Sequence, residues 1–349
     1  MKIFRNLFAD MVSMENLLTA WDEFKKGKRE KLDVQIFEQY LEDNLFRLHR
    51  DLLSKQYRHG RYTGFYIRDP KVRKIHKAEV PDRVIHHLIF QSLNPIFEPT
   101  FIPDSYSARV NRGTHRGVER LLIFARKTYQ THGRCFILKC DIKKFFPTLD
   151  HKILLNIIGQ RIKDPGALWL IHEIVASFSS DFSLPDEPKG TPIGNLTSQL
   201  FANIYMNELD QFIKHNLKVN CYIRYTDDFL IVHHDKNYLL KLKEKIAEFL
   251  KTKLKLSLHP NKVTIRKYRQ GVDFLGYVTL PKARVLRTRV KRRIFKKLKE
   301  RMRQFKYGKI SEISLMQSFN SYLGVLSHAN SHKLEQELRN KFWEWFKEP

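Results

Sequence analysis

Three aspartates carry the chemistry this sequence is equipped for. Asp227 and Asp228 are adjacent in Tyr225-Thr226-Asp227-Asp228, between the apolar runs Cys221-Tyr222-Ile223-Arg224 and Phe229-Leu230-Ile231-Val232. Two β-prone runs about a short polar break predict a strand, a tight turn and a returning strand, with the acids at the bend. A turn lets neighbouring side chains converge, whereas an extended strand sends them to opposite faces. Converging carboxylates repel one another unless a cation sits between them. The third acid, Asp141, ends the apolar run Phe136-Ile137-Leu138-Lys139-Cys140 and precedes Ile142-Lys143-Lys144-Phe145-Phe146. An Asp at the end of a buried strand beside that hairpin completes a three-carboxylate cluster. Two Mg²⁺ ions about 4 Å apart, held by hard oxygen ligands, could then clamp an in-line phosphoryl displacement. Taken alone, Asp141 would more commonly cap or bond a loop.

Composition narrows the partner. Lys and Arg number 64 against 37 Asp and Glu, a formal net charge of +27 over 349 residues. That excess points to a polyanion, nucleic acid or anionic membrane. The apolar runs are too short to span a bilayer, and the N-terminus lacks the apolar core of a secretory signal, so nucleic acid is the expected partner. Hydrophobic content of 42% excludes a disordered chain. Three cysteines (Cys135, Cys140, Cys221) without a CxxC pair fit a reducing, cytoplasmic setting. The tightest histidine pair, His86-His87, has no zinc framework around it and reads as structural or surface.

The elements that must position the acids follow from periodicity. Helices are expected at 14–27, at 34–56 with Asp33 as a cap, at 82–95, and from about 116 to 130. β-prone runs flank Arg68-Asp69-Pro70-Lys71, and Phe136–Ile142 reads as a strand. Helices at 150–162, 166–178, 198–214 and 236–254 and short strands at 261–266 and 272–280 complete this part. Beyond Pro281 the composition turns strongly basic. Val290, Ile294, Leu298 and Met302 recur every four residues there, so an amphipathic basic helix is expected, followed by two more helices over 312–349. The division expected is 1–280 and a helical part 281–349.

Several further segments, in order, resemble a known family. Arg73-Lys74-Ile75, Asp82-Arg83-Val84-Ile85-His86-His87, Asn94-Pro95-Ile96-Phe97-Glu98, Ser105-Tyr106-Ser107-Ala108-Arg109 and Gly113-Thr114-His115 resemble the fingers of bacterial reverse transcriptases. Asp141 to Asp150 and Tyr225 to Asp228 resemble their two catalytic palm motifs, the second being the YxDD box. Leu258-His259-Pro260-Asn261-Lys262 and Phe274-Leu275-Gly276-Tyr277 resemble the palm motifs that follow. The resemblance covers about residues 45–330. It implies an α+β right-hand polymerase: fingers, a palm built on an antiparallel sheet, and a helical thumb. It also implies an RNA-directed DNA polymerase working on RNA template, DNA or RNA primer and dNTPs. Its catalytic residues would be Asp141, Asp227 and Asp228, and its metal set Asp141, Ile142, Asp227 and Asp228 with two Mg²⁺ (Mn²⁺ as a substitute).

Ile193-Gly194-Asn195-Leu196-Thr197-Ser198-Gln199 refines this. Most reverse transcriptases have Gln before that Gly and Pro after the Ser; here they are Ile193 and Gln199. The pattern is similar to the reverse transcriptases of diversity-generating retroelements, as is Tyr322-Leu323-Gly324-Val325-Leu326-Ser327-His328-Ala329-Asn330. That group copies a template-repeat RNA with errors opposite adenine for mutagenic retrohoming, together with a small basic accessory variability determinant protein. Ile193 cannot hydrogen-bond an incoming nucleotide as a Gln can, which would loosen selection. Nucleotide contacts are expected from Arg73, Phe146 (a steric gate against a ribose 2′-OH), Ile193, Gly194, Gln199 and Lys262. Asp82-Arg83 would stand beside Arg73 toward the triphosphate. If 143–146 stays extended, Phe145 and Phe146 point to opposite sides. Arg289, Arg292, Arg293 and Lys296 would track the template–primer backbone. The alternatives are a retron, group II intron-like or phage-defence reverse transcriptase, and a non-catalytic nucleic-acid-binding protein on the same fold. Ile193 and Gln199 argue against the first two. The lack of an endonuclease or maturase segment after the thumb argues against a full intron protein.

Overall fold

The computed structural model describes residues 2–68 and 71–348; Asp69 and Pro70, at the centre of the expected first hairpin, lie outside the described residues. The N-terminal part runs α1 (Phe8–Met11), α2 (Met14–Lys25), α3 (Leu32–Gln39), α4 (Leu41–Leu53), β1 (Thr63–Ile67), β2 (Arg73–Lys77), α5 (Val80–Phe97) and α6 (Thr114–His132). The middle runs β3 (Phe136–Asp141), α7 (Phe145–Thr148), α8 (His151–Arg161), α9 (Pro165–Ala176), α10 (Leu196–Gln211), β4 (Tyr222–Tyr225), β5 (Asp228–His233), α11 (Lys236–Lys253) and β6 (Thr264–Lys267). The last part runs β7 (Val272–Phe274), β8 (Tyr277–Thr279), β9 (Arg284–Leu286), α12 (Thr288–Lys306), α13 (Glu312–Ser327) and α14 (His332–Lys347).

The central sheet is antiparallel, in the order β4-β5-β3-β6. Its strands are apolar on both faces, and period two sorts them. Leu138, Cys140, Tyr222, Phe229 and Ile231 enter one core, shared with α5 and α8 to α11. Ile137, Ile223, Leu230 and Val232 enter a second, shared with α6, the β7-β8-β9 sheet and α12 to α14. That second core runs without interruption from the sheet into the C-terminal helices. In α12 the expected stripe is the buried one: Ile294, Leu298 and Met302 face inward. The ribbon β1-β2 joins neither larger sheet and is largely exposed on both faces.

Four local expectations fail for identifiable reasons. The helix expected over 34–56 is two helices, broken at Tyr40 (φ −117°, ψ 39°); the apolar spacing from Val34 and Phe37 to Leu45, Leu48 and Leu52 carries through the break and hides it. Asp33 does not cap: the N-cap position is Lys31, and Asp33 pairs with Lys77 at 2.7 Å and with Arg83. Residues 143–146 do not stay extended, because Lys144 takes a left-handed conformation (φ 50°) and opens the short helix α7. Phe145 is consequently buried and Phe146 half-buried on successive helical positions. The strand expected at 272–280 is the hairpin β7-β8, turned at Leu275 and Gly276, both with positive φ.

Candidate active site

Sheet register brings the acids together. Asp141 at the end of β3 lies directly opposite Asp228 at the start of β5, and Asp228 is also opposite Tyr225 of β4. Opposed residues of neighbouring strands point to the same face, so two carboxylates share one patch at the sheet's end. Asp227 occupies the β4-β5 turn, and its carbonyl accepts the Ile142 amide at 3.2 Å. Leu258 pairs with buried Ile142, and the His259 amide donates to the Asp141 carbonyl at 2.7 Å. This fastening delivers Lys262, whose Nζ donates to Asp141 Oδ1 at 2.7 Å.

The electrostatics are those of crowded acids with lysine counterions. Lys139 Nζ stands 3.5 Å from Asp228 Oδ2. Burial, and beyond it the charges of Asp141 and Asp227, push Asp228 up to about 6 against the pull of Lys139. Burial raises Asp227 as well, opposed by Lys262 and Arg73. The three acids do not form a ready-made cage: no group of three His, Cys, Asp or Glu side chains among the described residues is arranged to hold a metal. The donor chemistry nevertheless fits a hard divalent cation. Asp228 Oδ1 is buried without a hydrogen-bond partner, and such an atom is costly to leave unmatched. Ile142 has only main-chain oxygen to offer.

Two clefts meet here. One, of about 350 Å³, is lined by Asp141, Asp228, Lys139, Lys262, Lys71 and Arg287. The other, of about 580 Å³, lies between the β1-β2 ribbon, the β7-β8 turn and α12, and Arg289, Arg292, Arg293 and Lys296 all line it. Lys71 and Arg287 line both, so a basic path runs from the acids along α12.

The expected nucleotide contacts partly assemble. The His76 amide of β2 donates to the Ile193 carbonyl at 3.3 Å, and the Thr191 amide to the Phe146 carbonyl at 2.9 Å. The ribbon carrying Arg73, the loop carrying Ile193 and Gly194, and the helix carrying Phe146 are therefore stitched together. Gly194 has φ +117°, and a Cβ there would come within 3.0 Å of Ile75 Cγ2. Gln199 stands exposed on the first turn of α10. Asp82 and Arg83 do not belong to this group. Asp82 is buried and accepts from the Tyr57 hydroxyl (2.7 Å) and the Gly60 amide (3.1 Å), while Arg83 packs over Phe24 and pairs with Asp33. Their charges are used for folding.

One positioning device was missed. Arg224, in β4, is fully buried and paired with buried Asp210 of α10 at 2.7 Å. Its guanidinium also donates to Asn203 Oδ1 (3.2 Å) and to the Thr226 carbonyl (3.1 Å). The Thr226 hydroxyl donates to Ser107 Oγ at 2.6 Å, and Asn203 Nδ2 to the Ser107 carbonyl at 2.9 Å. The turn that presents Asp227 is thus clamped from beneath, with Thr226 at φ 56°. The available signal was a charge inside an apolar strand, which demands a buried partner.

Residues 67–279 match the reverse transcriptase (RNA-dependent DNA polymerase) family. The chain belongs to that family. This reverse transcriptase is accordingly an RNA-directed DNA polymerase, using an RNA template and nucleotide substrates, with the right-hand polymerase fold. It is similar to protein YkfC of Escherichia coli (26% identical, covering 66% of this chain and 69% of that protein). It is also similar to the group II intron-encoded protein LtrA of Lactococcus lactis (25%, 68% and 50%) and to nuclear intron maturase 1 of Arabidopsis thaliana (22%, 60% and 42%). It thus spans about half the length of LtrA. Among solved structures, apo telomerase from Candida Tropicalis, truncated from its C-terminal domain, aligns at 14% identity and TM-score 0.49, covering 66% of this chain and 55% of that one. No helix of the described residues is long and apolar enough to cross a membrane.

Proposed function

We propose that this reverse transcriptase joins nucleotides at the Asp141, Asp227 and Asp228 patch and that it is of the diversity-generating type. The observation that carries the first part is the register pair Asp141–Asp228, with the Asp227 turn fastened to Ile142. A pair of divalent ions bound there supplies activation of the primer 3′ hydroxyl and neutralisation of the leaving pyrophosphate. The chain's own residues do the remainder. Asp141, Asp227 and Asp228 offer the oxygens, with the Ile142 carbonyl beside them. Lys262 and Arg73 bring positive charge to the side where a triphosphate would lie. Phe146 stands by the ribose. Arg292 and Lys296, exposed on α12, hold phosphates of the template–primer without reading sequence. Primer extension on an RNA template with Mg²⁺ tests this: Asp227→Ala should abolish it, and surviving activity would refute the assignment.

The diversity-generating reading rests on Ile193 and Gln199 and predicts adenine-directed errors, retrohoming into a variable repeat, and an accessory variability determinant as partner. Ile193→Gln should lower misincorporation opposite adenine; an unchanged error spectrum in sequenced cDNA would reject it. The similarity to intron-encoded proteins favours a second reading, a group II intron-like enzyme. That enzyme would show no adenine bias on the same RNA.

A further inference from the structure

A line of buried polar side chains ends on the first turn of α10, directly after the loop that carries Ile193 and Gly194. The His86 ring, on α5 and 2% exposed, lies with Nδ1 2.7 Å from Thr197 Oγ1 in the first turn of α10. Its Nε2 lies 3.3 Å from Nε2 of His59. His59 Nδ1 lies 2.7 Å from the Gly60 carbonyl, and the His59 side chain is buried. Burial holds His86 down to about 3, so it is neutral.

Where each ring carries a single proton, only one arrangement satisfies every contact. A carbonyl can only accept, so His59 Nδ1 carries a hydrogen and donates to Gly60. Its Nε2 is then a lone pair, so His86 Nε2 must donate to it. His86 Nδ1 is left as an acceptor, and the Thr197 hydroxyl must donate to it. The chain runs one way: Thr197 to His86 to His59 to Gly60. Its far end is anchored by Asp82, which accepts the Gly60 amide, and by the Tyr62 ring stacked on His59 at 4.6 Å. Its near end is tied onward, because Ser198, next to Thr197, contacts Thr191 (Oγ to Oγ 3.0 Å).

We infer that Thr197, His86 and His59 are positioning residues that fix the Thr191–Asn195 loop through a single ordered hydrogen-bond chain and thereby set nucleotide affinity. This rests on the reading of that loop as a nucleotide contact. None of the three touches the acids, so the bond-forming step is not theirs.

The test combines a spectroscopic and a kinetic readout. In protein carrying isotopically labelled histidine, the ring-nitrogen shifts at about pH 8 should show His86 protonated on Nε2 and His59 on Nδ1. Thr197→Val, nearly isosteric but without the hydroxyl, should raise KM for dNTP about three- to tenfold with kcat within about twofold. Thr197→Ser should restore the wild-type value. A His86 proton on Nδ1 would overturn the chain, as would an unchanged KM in folded Thr197→Val protein. A wild-type protein that extends no primer would sink the polymerase reading, and the ring-nitrogen shifts would still decide the chain.

Discussion

Removing an acid from the proposed active site should make the metal-free protein more stable, and Asp228 is the place to see it. Folding lifts its carboxyl from an ordinary 3.8 to about 6, chiefly through burial. A carboxyl raised in the folded state is one that the fold prefers protonated. Below about pH 4 folded and unfolded chains both hold the proton, and there is no penalty. Between about pH 4 and pH 6 the penalty grows, and above that it is full, roughly 3 kcal/mol for a lift of about two units at 1.36 kcal/mol each. Asp228→Asn removes that penalty. It also weakens the 3.5 Å contact with Lys139, which keeps its 2.9 Å bond to the Asp273 carbonyl. A net gain of about 1–2 kcal/mol at pH 8 follows, vanishing near pH 4. Urea unfolding with a chelator at the two pH values measures it, alongside primer extension, which the substitution should abolish. Added Mg²⁺ should stabilise the wild type well above the variant, by RT ln(1 + [L]/Kd) for whatever affinity the site has. A variant less stable than wild type at pH 8, or an equal difference at both pH values, would refute the reasoning.

Other outcomes follow from the same contacts. Arg224→Met should destabilise the protein by about 3–5 kcal/mol, because Asp210 is left buried and uncompensated; a change under about 1 kcal/mol in chemical denaturation would show the pair is not needed. Gly194→Ala, strained at φ +117° and pressed on Ile75, should lose about 1–2 kcal/mol of stability and raise KM for dNTP. Arg292→Ala with Lys296→Ala should weaken binding to RNA–DNA duplexes of any sequence and reduce the salt slope by about two; a sequence-dependent loss would contradict a backbone-tracking role.

The Asp227-Asp228 hairpin and β3 were legible in the sequence because β-prone apolar runs and a polar break are all local. The register placing Asp141 against Asp228 was legible only through the order of motifs. Where expectations failed, the deciding interaction came from elsewhere in the chain. Nothing near Asp33 announces Arg83 and Lys77, and nothing near Asp82 announces Tyr57 and Gly60. The break at Tyr40 was hidden because the apolar spacing continues across it, from Val34 and Phe37 in α3 to Leu45, Leu48 and Leu52 in α4. The clamp under the turn joins Ser107, Asn203, Asp210 and Arg224, residues as much as 117 positions apart, so only the folded chain reveals it.

Thr226 shows what that clamp is for. A β-branched residue is among the worst suited to left-handed backbone, at about 1–2 kcal/mol, and glycine would sit there at ease. Glycine, however, would bring no hydroxyl for Ser107 and would let the peptide pivot. The turn therefore trades comfort for stiffness, like a bent spring pinned at both ends. Its tip holds Asp227 to one pose while its neighbours absorb the tension. A relaxed tip would belong to a sturdier protein whose acid wanders.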